Sequence, residues 1–317
     1  MAVIGALASV IAIIAIVGDI REAGHLLARA RRVHLVWVVL LALADHIVRY
    51  WRWEVLLKYA TKRPVKRTEN LLIFLAGSLL IFTPARAGEV AKSLYAQKLF
   101  RIPVAASIPV LIAERVGDIA VMATLSGIGF LLMGRTPDLW LAGIILGGSL
   151  TFFVIAPILL QRAYDRRNVR RIAESRFGQA LAHANESRRT LLSLPVLGSN
   201  AGLGATAWVI EVLAYYLSLI AVGAASDVPL FILALAVFPL ASIGGALSFL
   251  PGGLGATEGG LVGLAVLIGG VSAEAALLAA LITRAAILGV VVLAGFVALP
   301  FLHHIPTPNQ PEDPSIV

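Results

Sequence analysis

The sequence predicts an all-α polytopic membrane protein built as an inverted repeat, and three observations carry that prediction. Apolar residues make up 59% of the chain and charged residues 14%, with a mean hydropathy of +0.91, outside the range of ordinary globular domains. The apolar residues fall in runs of about 20, enough for a helix to cross a hydrocarbon core of about 30 Å. Glu89 to Arg115 and Glu258 to Arg284 both span 26 positions, so one acid-to-base interval occurs twice.

Taken in order, residues 2–20 open with a continuous apolar run followed by Arg21, Arg29, Arg31 and Arg32. A cleaved leader carries its positive charge before the core, so a retained first helix is expected. The second segment, 35–57, holds Asp45, His46, Arg49 and Arg52 and ends in Arg49-Tyr50-Trp51-Arg52-Trp53. Aromatics mixed with arginine mark a membrane interface, an expectation that applies to Arg52 more than to Asp45. Residues 71–83 are apolar or small but too few to span; Pro84 follows, and 86–101 turns basic, the pattern of a re-entrant hairpin. Residues 103–133 and 139–160 read as full spans.

In the stretch 161–195 Arg166, Arg167, Arg170, Arg171, Arg176, Arg188 and Arg189 are mixed with Val169, Ile172, Ala173, Phe177, Leu181 and Ala184 at helical spacing, which predicts an amphipathic helix on an anionic cytoplasmic surface. Residues 202–223 span, with Glu211 near the middle. The stretch 228–270, interrupted by Pro239, Gly244-Gly245 and Pro251-Gly252-Gly253, is either two spans or one deep hairpin, and 275–299 form the last span. With both broken stretches as hairpins the spans number six. The repeat halves, 35–135 and 204–300, then run in opposite orientation inside one domain, 1–305, and the proline-rich tail 306–317 is expected to be disordered. Both termini and the basic loops at 58–70, 86–101 and 161–195 fall on the cytoplasmic side, whereas the cluster at 21–34 violates the rule.

The net charge of +8 comes from bases in short loops, and 25 of the 26 lysines and arginines precede residue 200. This distribution fits the positive-inside rule and excludes a nucleic-acid face. The absence of cysteine excludes disulfides and thiolate sites, and the six histidines show no metal spacing, so neither metal nor cofactor is expected. No phosphate-binding glycine loop, G-x-S-x-G or H-E-x-x-H occurs.

What remains is charge where charge is expensive. Glu89, Glu114, Arg115, Asp118, Glu211, Glu258 and Arg284 fall in or beside apolar runs, at a cost on the order of 2.5–3.5 kcal/mol each at a helix centre. They must pair or face water. A fixed set of salt bridges is one outcome; the other is a polar cavity in which Arg86, Arg115 and Arg284 grip a phosphate bidentately. Glu89, Glu114, Asp118 and Glu258 would then orient the arginines or receive an amine or proton, with Asp45, Arg49 and Glu211 supporting. Breaks at Pro84 and Pro251 would free backbone N–H groups, and Gly88, Gly252, Gly253 and Gly255 would allow close turns.

The series Pro84-x-Arg86-x-Gly88-Glu89, Glu114-Arg115-x-x-Asp118, Pro251-Gly252-Gly253-Leu254-Gly255-x-x-Glu258 and Arg284 resembles the lysylphosphatidylglycerol synthase transmembrane region, a flippase-like family, over about residues 5–300. Two-domain members add a cytoplasmic aminoacyl transferase domain, for which a chain of 317 residues leaves no room. The resemblance implies lipid translocation without synthase activity, so no enzyme is expected. The substrate would be a lipid with a phosphate head group, such as an aminoacylated phospholipid or a polyprenyl-phosphate-linked glycan, in the cell membrane. An enzyme acting on a lipid-linked substrate and a scaffold for a partner lipid or glycan synthase are the alternatives; a homo-oligomer is compatible with all three.

Overall fold

The computed structural model describes residues 30–62, 65–83, 88–149, 186–187 and 189–305. Among them every regular element is helical: α1 (Arg32–Thr61), α2 (Arg67–Ser78) with a 3₁₀ extension (Leu79–Phe82), α3 (Val90–Phe100), α4 (Val104–Met133), α5 (136–149), α6 (Leu194–Ala221), α7 (Val228–Leu247), a 3₁₀ turn (Pro251–Gly253), α8 (Ala256–Gly269) and α9 (Ala273–His303). Six described segments are long and apolar enough to cross a membrane: α1, α4, α6, α7, Pro251–Gly269 and α9. The expected first span 2–20, the stretch 150–185 that holds most of the amphipathic segment, and the tail 306–317 lie outside the described residues.

Helix α1 packs along α6, α4 along α7, and α9 lies against α2 while also touching α1 and α6. The largest core joins Trp208, Tyr215 and Leu219 of α6 to Phe238 of α7 and Leu278 of α9; a second gathers Trp53, Phe74 and Val110 from α1, α2 and α4. Outward faces are equally apolar: Leu293, Phe296, Val297 and Phe301 on α9 and Val33, Trp37, Leu40 and Ile47 on α1 are exposed. Apolar surface this extensive is stable against hydrocarbon, not water.

Three expectations are corrected. Pro239 and Gly244-Gly245 do not interrupt 228–270; α7 runs through them and stops only at Ser248–Leu250. Pro239 takes the helical donor from the Leu235 carbonyl, and beside it the Ala236 carbonyl accepts a 2.7 Å bond from Ser126 Oγ, which ties α7 to α4 at this point. The helix expected at 202–223 begins at Leu194, where Pro195 fits the first turn. The basic stretch 86–101 is not a loop throughout, since Val90–Phe100 form α3.

Candidate functional site

The charged side chains that the sequence scatters over 240 positions, from Asp45 to Arg284, line a single chamber of about 270 Å³ enclosed by α1, α2, α3, α4, α6, α7 and α9. Helix α1 turns Asp45, Arg49 and Arg52 inward at i, i+4, i+7 spacing, one helical face. The Nε–H of Arg49 reaches both Asp45 oxygens at 2.9 Å, its Nη2 donates to Glu211 Oε1 on α6 at 2.6 Å, and its guanidinium stacks 5.1 Å from the Trp208 ring centre. Three residues on, Arg52 is only 2% exposed. It donates to Asp118 Oδ1 at 2.5 Å, to Asn200 Oδ1 at 2.7 Å and to the Glu114 carbonyl at 2.9 Å.

Helix α4 brings Glu114, Arg115 and Asp118. Asp118 Oδ1 also accepts from Trp208 Nε1 at 3.1 Å, so this carboxylate ties α1, α4 and α6 together. Gly117 makes the crossing narrow enough: a Cβ there would stand 2.7 Å from Arg52 Nη2 and 2.8 Å from Asn200 Nδ2. Arg115 is held loosely, 3.6 Å from Glu89 Oε2 and 3.4 Å from Asp118 Oδ2, with 35% of its side chain exposed. The carboxylate of Glu114, on a residue 4% exposed, lines the chamber with no cation within 4 Å among the described residues, and its Oε2 has no hydrogen-bond partner.

Glu89 stands at the start of α3 and accepts from Lys92 at 3.0 Å. The Lys92 ammonium lies over the rings of Phe74, at 4.8 Å, and Trp53, at 5.5 Å, which holds a cation in an otherwise apolar corner. Across the chamber Arg284 of α9 donates to Glu258 Oε1 at 2.7 Å and to the Gly252 carbonyl at 2.6 Å. The other Glu258 oxygen accepts from Gly255 N at 2.7 Å. This turn needs its glycines: Gly252, Gly253 and Gly255 have φ of 63°, 67° and 86°, left-handed values that a side chain resists.

Of the residues expected from sequence, Asp45, Arg49, Glu89, Glu114, Arg115, Asp118, Glu211, Gly252, Gly253 and Arg284 line the chamber. Glu258 reaches it through Arg284; Pro251 and Gly255 shape the turn behind. Gly88 donates its N–H to Thr83 Oγ1 at 2.7 Å. Pro84 and Arg86 lie outside the described residues. Arg52 is a correction: it is not an interface arginine but the most buried cation of the site, because Asp118, Asn200 and the Glu114 carbonyl replace its hydration. Lys92, His46, Asn200 and Trp208 belong to the site and were not singled out. Among the described residues the chamber wall is balanced, with Arg49, Arg52, Lys92, Arg115 and Arg284 facing five carboxylates, Asp45, Glu89, Glu114, Asp118 and Glu211.

The chamber thus offers a forked donor with slack in its contacts, a second arginine opposite, and a balance of charge. The model of the family described as lysylphosphatidylglycerol synthase TM region matches residues 2–295. No curated protein matches the chain. With nearly its whole length matched and six described segments fit to cross a bilayer, this multi-pass membrane protein belongs to the lysylphosphatidylglycerol synthase TM region family.

Proposed function

We propose that the chain translocates a lipid with a phosphate head group across the cell membrane, without making or breaking a bond, the phosphate resting between Arg115 and Arg284. The observation that carries this reading is the charged chamber of about 270 Å³ inside a body whose outer faces are apolar. A head group needs the first and acyl chains need the second. The family supports lipid handling.

The short elements give the route. Helices α2 and α3, of 12 and 11 residues, reach about 16–18 Å each at 1.5 Å per residue, well short of the roughly 30 Å core. On this reading they form a re-entrant hairpin, and the longer pair α7 and α8, separated by the turn around Pro251–Gly253, is its counterpart in an inverted repeat, so that the two halves approach the chamber from opposite faces.

Reconstitution in vesicles with labelled lipids tests this. Phospholipids should cross faster than a glycosyl diacylglycerol with the same chains, and Arg284→Lys should fold yet transport about tenfold or more slowly, because a point charge cannot replace a planar fork. Near-normal transport by that variant would reduce Arg284 to a counter-ion of Glu258.

A further inference from the structure

We propose that Glu114 is the proton site of the chamber: a phosphate-bearing lipid that docks beside Arg115 brings a proton, which settles on the Glu114 carboxyl. This inference rests on the lipid-transport reading and adds its coupling ion.

The case begins with charge. Five carboxylates and five cations line the chamber, and Glu258 stands behind Arg284. Among these described groups the wall is already neutral, or one negative charge in excess if Glu258 is included. A phosphodiester adds another anion, in a place where each uncompensated charge costs several kcal/mol by the usual membrane scales. Among the described groups no spare cation meets that charge, and a proton taken up by one carboxylate would balance it.

Geometry selects the group. Asp45 and Glu211 are held by Arg49 at 2.9 and 2.6 Å, Asp118 by Arg52 and Trp208, Glu89 by Lys92, and Glu258 by Arg284 and Gly255 N. Each of those anions would lose a close donor on protonation. Glu114 would lose none: among the described residues no cation lies within 4 Å of its carboxylate, and its buried Oε2 lacks a hydrogen-bond partner. Arg52 serves only its backbone carbonyl. Among the described residues the charged and titratable groups that share its chamber are Arg115 and Asp118 on its own helix, Arg49, Arg52, Asp45 and His46 on α1, Glu89 and Lys92 on α3, Glu211 on α6 and Arg284 on α9. Its neighbour Arg115 is the cation with most slack, so phosphate and proton would land on consecutive residues. Each then favours the other's binding by the same factor.

The test is calorimetric titration of the purified protein in neutral detergent with short-chain phosphatidylglycerol, whose phosphodiester does not titrate near neutrality, in two buffers of different ionisation enthalpy. Uptake of about one proton per lipid is expected, with affinity rising about tenfold per unit as pH falls through the coupled range. Glu114→Gln, which mimics the protonated acid, should bind with no proton uptake and a flat pH profile, and unfold no earlier than the wild type. Glu114→Asp should restore the pH dependence. Lipid binding with no proton uptake, or uptake that survives in Glu114→Gln, overturns the proton site. No lipid binding by the wild type at any pH overturns the transport reading beneath it, and this inference falls with it.

Discussion

At an offset of 169 positions Glu89 corresponds to Glu258 and Arg115 to Arg284. The first pair stands at 3.6 Å with a third of the arginine side chain open; the second closes to 2.7 Å, and its arginine, 13% exposed, also binds the Gly252 carbonyl. Neighbours explain the difference. Where the first half has Lys92, Glu114 and Asp118, the same offset in the second gives Leu261, Thr283 and Ile287. Leu261 is buried in the main core, and Thr283 spends its hydroxyl on Ser218 and the Ala279 carbonyl. Among the described residues Glu258 is therefore the one carboxylate within reach of Arg284. Arg115, by contrast, is shared between two acids that have other cations of their own. One copy of the device is locked by a single strong pair, and the other is kept loose by competition. A site that must exchange ligands needs the loose copy, and a site that must keep its shape needs the locked one.

The largest effect should come from removing the cation that makes the competition possible. Arg52→Ala strands Asp118 in a dry crossing of three helices, and breaking a buried pair on one side costs about 3–5 kcal/mol. Thermal unfolding in detergent measures it. A loss below about 1 kcal/mol, the value of an exposed pair, would show that Trp208 and Arg115 hold Asp118 without help and would sink the view that Arg52 organises the loose half.

The next effect sharpens the comparison directly. Arg115→Lys should cost under about 1 kcal/mol of stability, since its contacts are long and partly wet. Arg284→Lys loses both a 2.7 Å ion pair and the bond to Gly252 and should cost more. Transport should not follow stability: the Arg115 variant should fail as badly as the Arg284 variant although it is the more stable. If the two rank alike in both measurements, looseness is not the property that matters.

Much of this was legible because charge in apolar sequence has few explanations. The Glu89–Arg115 and Glu258–Arg284 intervals reappear as ion contacts, the helical run of α2 and its extension stops before Thr83, and a 3₁₀ turn stands at Pro251. Arg52 escaped because its neighbours Trp51 and Trp53 suggest an interface. The period of the helix separates them: Asp45, Arg49 and Arg52 share a face, while Trp51 points outward and is exposed. Lys92 escaped because a basic stretch after proline reads as loop, although its spacing of three from Glu89 is that of a helical ion pair. Pro239 misled for another reason. There the packing of α7 against α4, marked by the Ser126 bond to the Ala236 carbonyl, keeps the helix continuous, and no local pattern reveals such a contact.

The smallest structural effect belongs to the test of whether the two halves are inverted. The chain has no cysteine, so single introduced thiols report without background. In the first half the position must be chosen with care, because Lys92 is buried against Phe74 and Trp53, whereas Gln97 on α3 is exposed. In the second half Gly259 on α8 is exposed, and a Cβ there meets nothing within 4 Å. Both substitutions should leave stability within about 0.5 kcal/mol, as is usual for surface positions. In oriented vesicles a membrane-impermeant maleimide should label Gln97→Cys from one side and Gly259→Cys from the other, because hairpins in oppositely oriented repeats open to opposite faces. Labelling of both from the same side would leave the 26-residue interval a repeated pair but not an inverted one. The loose and locked arginines would then face the same leaflet, and alternating access between them would be lost.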